Sequence, residues 1–216
     1  MNSIRACGAS ALCALFLIAS GGGSLAQEQP QYTFGTTVVS ASGLQGRVYL
    51  LKRNTPRLPQ LDQMKSAGTV YTTTLNVWPQ RFDEGFPGMT DRLEWFAIDY
   101  TGRVWIDAEG KYRFSLLSDD GARLSIDSQE VIDNDGIHAA TALSGSAFLS
   151  RGIHTIRVSY YQGPRFTVAL VLSVAAPGGP WRIFNTDDFP PPKDPAEWVT
   201  GSISQVLHSE TPFGDR

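Results

Sequence analysis

The chain has 216 residues, with 18 Lys and Arg against 21 Asp and Glu, a formal charge of −3. That balance lacks the basic excess of a general nucleic-acid binder, and an apolar fraction of 42% supplies a core, which excludes wholesale disorder. With 21 Gly and 13 Pro beside many Thr, Val, Tyr and Phe, the composition favours an all-β domain rich in turns.

Residues 1–26 read as a secretory signal peptide. Arg5 is the positive n-region, Ala9 to Ala19 the apolar stretch, and Ser24-Leu25-Ala26 the small-residue cleavage site. The apolar stretch is too short for a membrane span, which needs about 20 residues to cross about 30 Å of hydrocarbon. Leu12 stands before Cys13 where a lipoprotein site needs a small residue. Both cysteines, Cys7 and Cys13, lie in this segment, so the cleaved chain can form no disulfide, thiolate nucleophile or Cys-ligated zinc site. The reading predicts a secreted or periplasmic protein with no membrane span in the mature chain.

From Tyr32 to Val174 short strand signals alternate with turn residues. Val48–Leu51, Val70–Val77, Leu93–Ile98, Val104–Ile106, Tyr112–Leu117, Ala122–Ile126, His154–Tyr160 and Phe166–Val174 are the candidates, and several place apolar side chains at every second position. Breakers separate them at Gly102, Glu109-Gly110, Asp120-Gly121, Asn134-Asp135-Gly136, Arg151-Gly152 and Gly163-Pro164. Strands at intervals of roughly ten residues mark a twisted antiparallel β-sandwich or barrel, here over residues 32–176. Only Leu58–Ser66 looks weakly helical. Residues 177–216 form a separate segment: Pro-rich, with Trp181, Ile183 and Phe184 fit for one edge strand, then an extended, flexible tail from Pro190.

The most uneven feature is acidic. Asp119, Asp120, Asp127, Glu130, Asp133 and Asp135 fall within seventeen residues, opposed only by Arg123. Two readings stand: ordinary Asx turn chemistry, or a hard-cation site built of carboxylate, amide and carbonyl oxygens. An EF-hand is excluded, because Gly136 at loop position six puts Val131 at position one and Ala142 at position twelve, where carboxylates are required. Hydrolase and nucleotide-binding motifs are absent, and His154 in an alternating strand reads as structural. The chain is therefore expected not to be an enzyme.

The run Ser118-Asp119-Asp120-Gly121-Ala122-Arg123-Leu124-Ser125-Ile126-Asp127, followed by Val131-Ile132-Asp133-Asn134 and His138, resembles the protective-antigen fourteen-kilodalton domain family, a β-barrel module of bacterial toxins, glycosidases, adhesins and yeast flocculins. Gly43-Leu44-Gln45-Gly46 is similar to its opening, Gly110-Lys111-Tyr112-Arg113-Phe114 to the strand before S-D-D-G, and Leu149 to Ile156 with Val158 to Tyr161 to its late strand. The resemblance covers about residues 43–176.

In carbohydrate-binding members the two adjacent aspartates are joined by a cis peptide and ligate calcium, and the ion binds sugar hydroxyls. Successive trans residues of a strand point to opposite faces, which would keep two such carboxylates apart. By this resemblance Asp119 and Asp120 are the metal and sugar ligands. Gln162 takes the place of a loop asparagine but is one methylene longer. In the same loop Arg165 and Phe166 are expected, if exposed, to bond and stack on the sugar. The resemblance thus implies a secreted carbohydrate-binding module with Ca2+ and a glycan or polysaccharide partner. The alternative is a structural or protein-interaction domain of the cell envelope, with a protein partner and the aspartates as turn framework.

Overall fold

The computed structural model describes residues 43–89 and 92–209. The proposed leader 1–26, with Cys7 and Cys13, lies outside them, as does the stretch 32–42. Among the described residues there are twelve strands: β1 Leu44–Leu50, β2 Gly68–Thr72, β3 Asn76–Arg81, β4 Phe96–Ile106, β5 Gly110–Asp119, β6 Ala122–Ile126, β7 Gln129–Asn134, β8 Thr141–Leu149, β9 Gly152–Gln162, β10 Thr167–Ala175, β11 Arg182–Ile183 and β12 Ile203–Ser209. They form two antiparallel sheets, one ordered β2-β1-β4-β9-β6-β7 and the other β11-β10-β5-β8-β12, with β3 also paired to β10. The all-β expectation holds, and no described helix is long and apolar enough to cross a membrane.

The core lies between the sheets. Alternation on β9 sends Ile156, Val158 and Tyr160 inward against Leu124 of β6 and Ile98 of β4, and these meet Leu116, Leu170 and Leu172 of the facing sheet. Phe86 stacks on Tyr160 with ring centres 4.8 Å apart. A smaller apolar cluster sits on the outer face of the first sheet. There Leu58 and Leu61 fold back onto Tyr49, Trp95 and Tyr161. The weak helical signal over Leu58–Ser66 therefore becomes a single 3-10 turn, Leu61–Gln63, because the segment's apolar side chains are used to cover the sheet.

Two differences from the sequence reading have local causes. Gly102 does not break a strand. It sits inside β4, where a Cβ would stand 2.7 Å from Leu44 Cδ2, so the glycine serves close packing. Strand β8 is rich in Ser, Ala and Gly and gave no strand signal. Small residues are required there, since a Cβ on Gly145 would stand 2.4 Å from the Val131 carbonyl oxygen of β7. Asp127 and Ser128, with φ of 48° and 66°, form the two-residue turn that joins β6 to β7.

The stretch after Pro190, read as an extended flexible tail, instead carries β12. It pairs with β8 from Ile203↔Leu149 to Ser209↔Ser144, and the expected edge strand appears as β11 on β10. Pairing satisfies the β8 edge, which overrides the low apolar content of the segment. On the way to β12 the backbone crosses His154, which is fully buried between the Asp127 carboxylate at 2.7 Å and the Ser150 carbonyl at 2.9 Å. At Gly201 an added Cβ would stand 2.1 Å from His154 Nε2. Gly201→Ala is accordingly expected to cost about 1–3 kcal/mol in urea denaturation, the range for an overpacked site. The neighbouring Ser202→Ala should stay within about 0.5 kcal/mol. Equal stability of the two variants would show that the segment does not lie against His154.

Candidate functional site

The fold sorts the six clustered carboxylates into two kinds. Asp127 is spent on His154 and on the Thr155 N–H at 2.8 Å. Asp133 and Asp135 each hold Arg123 at 3.0 Å, with Glu130 at 4.0 Å, and Asp135 also accepts the Leu58 N–H at 2.8 Å. Asp119 and Asp120 differ. Both are buried, at 4% and 3% exposure, and among the described residues neither forms an ion pair.

Their position follows from topology. Asp119 ends β5 in one sheet and Ala122 begins β6 in the other, so Asp120-Gly121 is the crossing between sheets. The Asp119–Asp120 peptide is cis. Two loops close over the crossing. Asp119 accepts from the Thr167 hydroxyl and the Ala140 N–H; Asp120 accepts from the His138 N–H at 3.2 Å and the Gly163 N–H at 2.8 Å. All of these donors are neutral.

Burial therefore acts against these neutral donors and, more weakly, the charge of the nearby His138 ring. It raises the Asp119 carboxyl above its ordinary value of 3.8, against the Thr167 and Ala140 bonds. The Asp120 carboxyl is pushed up to about 6, first by burial and then by the Asp119 charge, against the bonds from Gly163 and His138.

The structure brings Gln162 beside this pair but beneath it. Gln162 is fully buried, its Oε1 lies 2.5 Å from the Tyr160 hydroxyl, and its Nε2 donates to the carbonyls of Pro164 at 3.3 Å and Thr167 at 3.2 Å. It braces the loop from below. The carbonyls of Gly163 and Phe166 accept from the Trp95 and Phe82 N–H groups. Arg165 extends to Glu94 at 2.9 Å, with its guanidinium 5.6 Å from the Phe82 ring centre, whereas Phe166 is 80% exposed at the loop tip.

Thr167 and Tyr160 were missed from sequence. Tyr160 donates toward the Asp119 carbonyl at 2.7 Å, and nothing in its strand pattern separates it from an ordinary core tyrosine. No group of three or more His, Cys, Asp or Glu converges as a metal site among the described residues. A cation here would rest on the two carboxylates and neutral oxygens. That all-oxygen set, with charge to neutralise, fits a hard ion such as calcium better than zinc.

The PA14 domain family matches residues 40–183. No curated protein matches the chain. Among solved structures, the chain is similar to a PA14 sugar-binding domain from an RTX adhesin (20% identity, TM-score 0.57, covering 68% of this chain and 97% of that one). It is also similar to the PA14 domain of an antifreeze protein (16%, 0.56, 85% and 100%). An anti-sigma factor domain-containing protein matches at 22% with a TM-score of 0.56, over 71% of this chain but only 50% of that one. At these identities the likeness is one of fold.

The aspartate chemistry has a measurable signature. Because the Asp120 carboxyl titrates near about 6 in the fold against an ordinary 3.8, the native state binds the extra proton between those values. Metal-free stability contributed by this group thus falls as pH rises from about 4 to about 6 and is flat above. Asp120→Asn cannot ionise. In chelator, wild type should lose stability relative to that variant across this window, read by urea denaturation at several pH values. Parallel pH profiles would remove the buried, uncompensated carboxylate.

Proposed function

The chain belongs to the PA14 domain family, and from that premise we propose that it is a non-catalytic carbohydrate-binding module working outside the cytoplasm. The observation that carries this is the Asp119–Asp120 pair: two adjacent buried carboxylates with only neutral donors around them, at the loop end of the sandwich. Buried charges are ordinarily paired or coordinate a metal. Among the described residues neither carboxylate forms an ion pair, with the His138 ring contributing only a minor nearby charge. Calcium bound there would offer open coordination positions to vicinal sugar hydroxyls. Asp119 and Asp120 supply the charge, Gln162 and Tyr160 hold the loop that faces them, and Phe166 presents an exposed ring for stacking on a pyranose face. The sugar-binding domain from an RTX adhesin shares this fold and lends the same direction.

A second reading has its own observation. Every carboxylate oxygen pair already accepts protein hydrogen bonds, from Thr167 and Ala140 or from Gly163 and His138. On that reading the aspartates are corner framework for a structural or protein-interaction domain.

Thermal denaturation separates the two. If the pair holds calcium, millimolar calcium raises the melting temperature relative to chelator, by the equivalent of about 2.7 kcal/mol at 100 Kd. Asp119→Asn keeps an oxygen but loses charge and should abolish most of that shift while remaining folded. No calcium shift and no calorimetric heat would leave the framework reading standing.

A further inference from the structure

We propose that the ridge carrying Lys52, Arg53 and Arg57 makes this end of the sandwich selective for acidic glycans, those bearing carboxylate or sulfate groups. The inference rests on the sugar-binding reading above and narrows its ligand class.

The ridge is fixed in place. The Leu51 N–H donates to the Trp95 carbonyl at 2.8 Å, and the Arg92 guanidinium donates to the Leu51 carbonyl at 2.7 Å. Thr55 closes the turn on the Lys52 carbonyl through its N–H at 3.2 Å and its hydroxyl at 2.6 Å. From below, the Tyr161 hydroxyl donates to the Thr55 carbonyl, and the Leu58 N–H ties the far end to Asp135 at 2.8 Å.

These same contacts set the ridge beside the aspartate pair. A Cβ on Gly163 would stand 2.7 Å from the Tyr161 hydroxyl and 3.1 Å from Asp120 Oδ2. The Thr55 carbonyl, the Tyr161 hydroxyl and the Asp120 carboxylate therefore follow one another in close succession.

The charges differ from those nearby. Arg123, Arg157 and Arg165 are each spent on carboxylates, Arg157 on Asp99 at 2.8 Å and Asp62 at 3.0 Å. Lys52, Arg53 and Arg57 are exposed, and no described carboxylate pairs with any of them. Three uncompensated cations within six residues stand out in a chain of net charge −3. Arg123, Arg157 and Arg165 are shared among Glu130, Asp133, Asp135, Asp62, Asp99 and Glu94, so they are committed locally. The ridge's own Lys52, Arg53 and Arg57 are the cations left to meet an anionic group of a ligand beside the pair. A hydroxyl-bearing ligand drawn to the aspartates would gain further if it also carried anionic groups within reach of the ridge. Three cations are few for tracking a nucleic-acid backbone, whose affinity comes from many phosphate contacts.

The test is calorimetry on the folded protein with short oligosaccharides, in calcium and in chelator. The probes are a trigalacturonate, a sulfated trisaccharide and a neutral trisaccharide, with a single-stranded DNA oligomer beside them. The variants are K52A/R53A/R57A and Asp119→Asn. Tighter binding of either acidic trisaccharide than of the neutral one, weakened roughly tenfold by the triple variant and by added salt, supports the proposal. The two acidic probes distinguish carboxylate from sulfate. If the neutral sugar binds in calcium as well as the acidic ones, and the triple variant changes nothing, this inference falls while the sugar-binding reading stands. If no sugar binds, both fall. DNA binding as tight as the acidic sugars would overturn selectivity for glycans.

Discussion

The chain must pass from one sheet to the other in two residues, between the end of β5 at Asp119 and the start of β6 at Ala122. So short a crossing leaves its backbone groups inside the protein, and each must find a partner. The Asp119 carbonyl takes the Tyr160 hydroxyl and the Gly121 carbonyl takes the Tyr161 N–H at 2.8 Å. Gly121 has no room for a side chain, because a Cβ would stand 2.6 Å from the Gly136 nitrogen. The last residues of β9 are thus committed to the crossing, and the loop that follows them is anchored over it. That corner determines where two carboxylates are buried and which loops close on them.

Electrostatics distinguishes this corner from the rest of the acidic run. Arg123 gathers three carboxylates from β7 and the turn after it, and His154 takes a fourth. The Arg123 pairs tie β6 to β7 and to the turn after it, and the His154 pair ties the hairpin turn to β9. The two aspartates of the crossing are left as the members of the run that form no ion pair among the described residues. Partial compensation by N–H and hydroxyl donors keeps them tolerable in the fold but does not cancel their charge.

Segments outside the central strands finish the molecule. Residues 51–64 lie across the outer face of the first sheet through Leu58 and Leu61, and in doing so carry Lys52, Arg53 and Arg57 to the rim of the crossing. At the opposite end, β12 returns to cover the edge of β8, and His208 reaches the Val131 carbonyl of β7 at 3.0 Å. One segment shapes the site; the other closes the sandwich.

Alternating apolar residues and turn glycines were sufficient to determine an all-β sandwich, since a strand half-buried on one face writes a period of two into its own sequence. The S-D-D-G run marked the aspartate pair through its family resemblance, and of its residues the glycine is the one that lack of space dictates. Other features had no local signature. Strand β8 is made of small residues chosen for the close approach of β7, and β12 is a strand only because β8 offers an edge. Gln162 reads as a loop amide, yet it packs under the loop. Whether a carboxylate is paired depends on partners tens of residues away, as Arg123 with Asp133 and Asp135 and His154 with Asp127 show. Local patterning reports how a residue meets its own sheet; only the tertiary structure decides which distant charges, edges and loops it meets, because those contacts are made across the chain rather than along it.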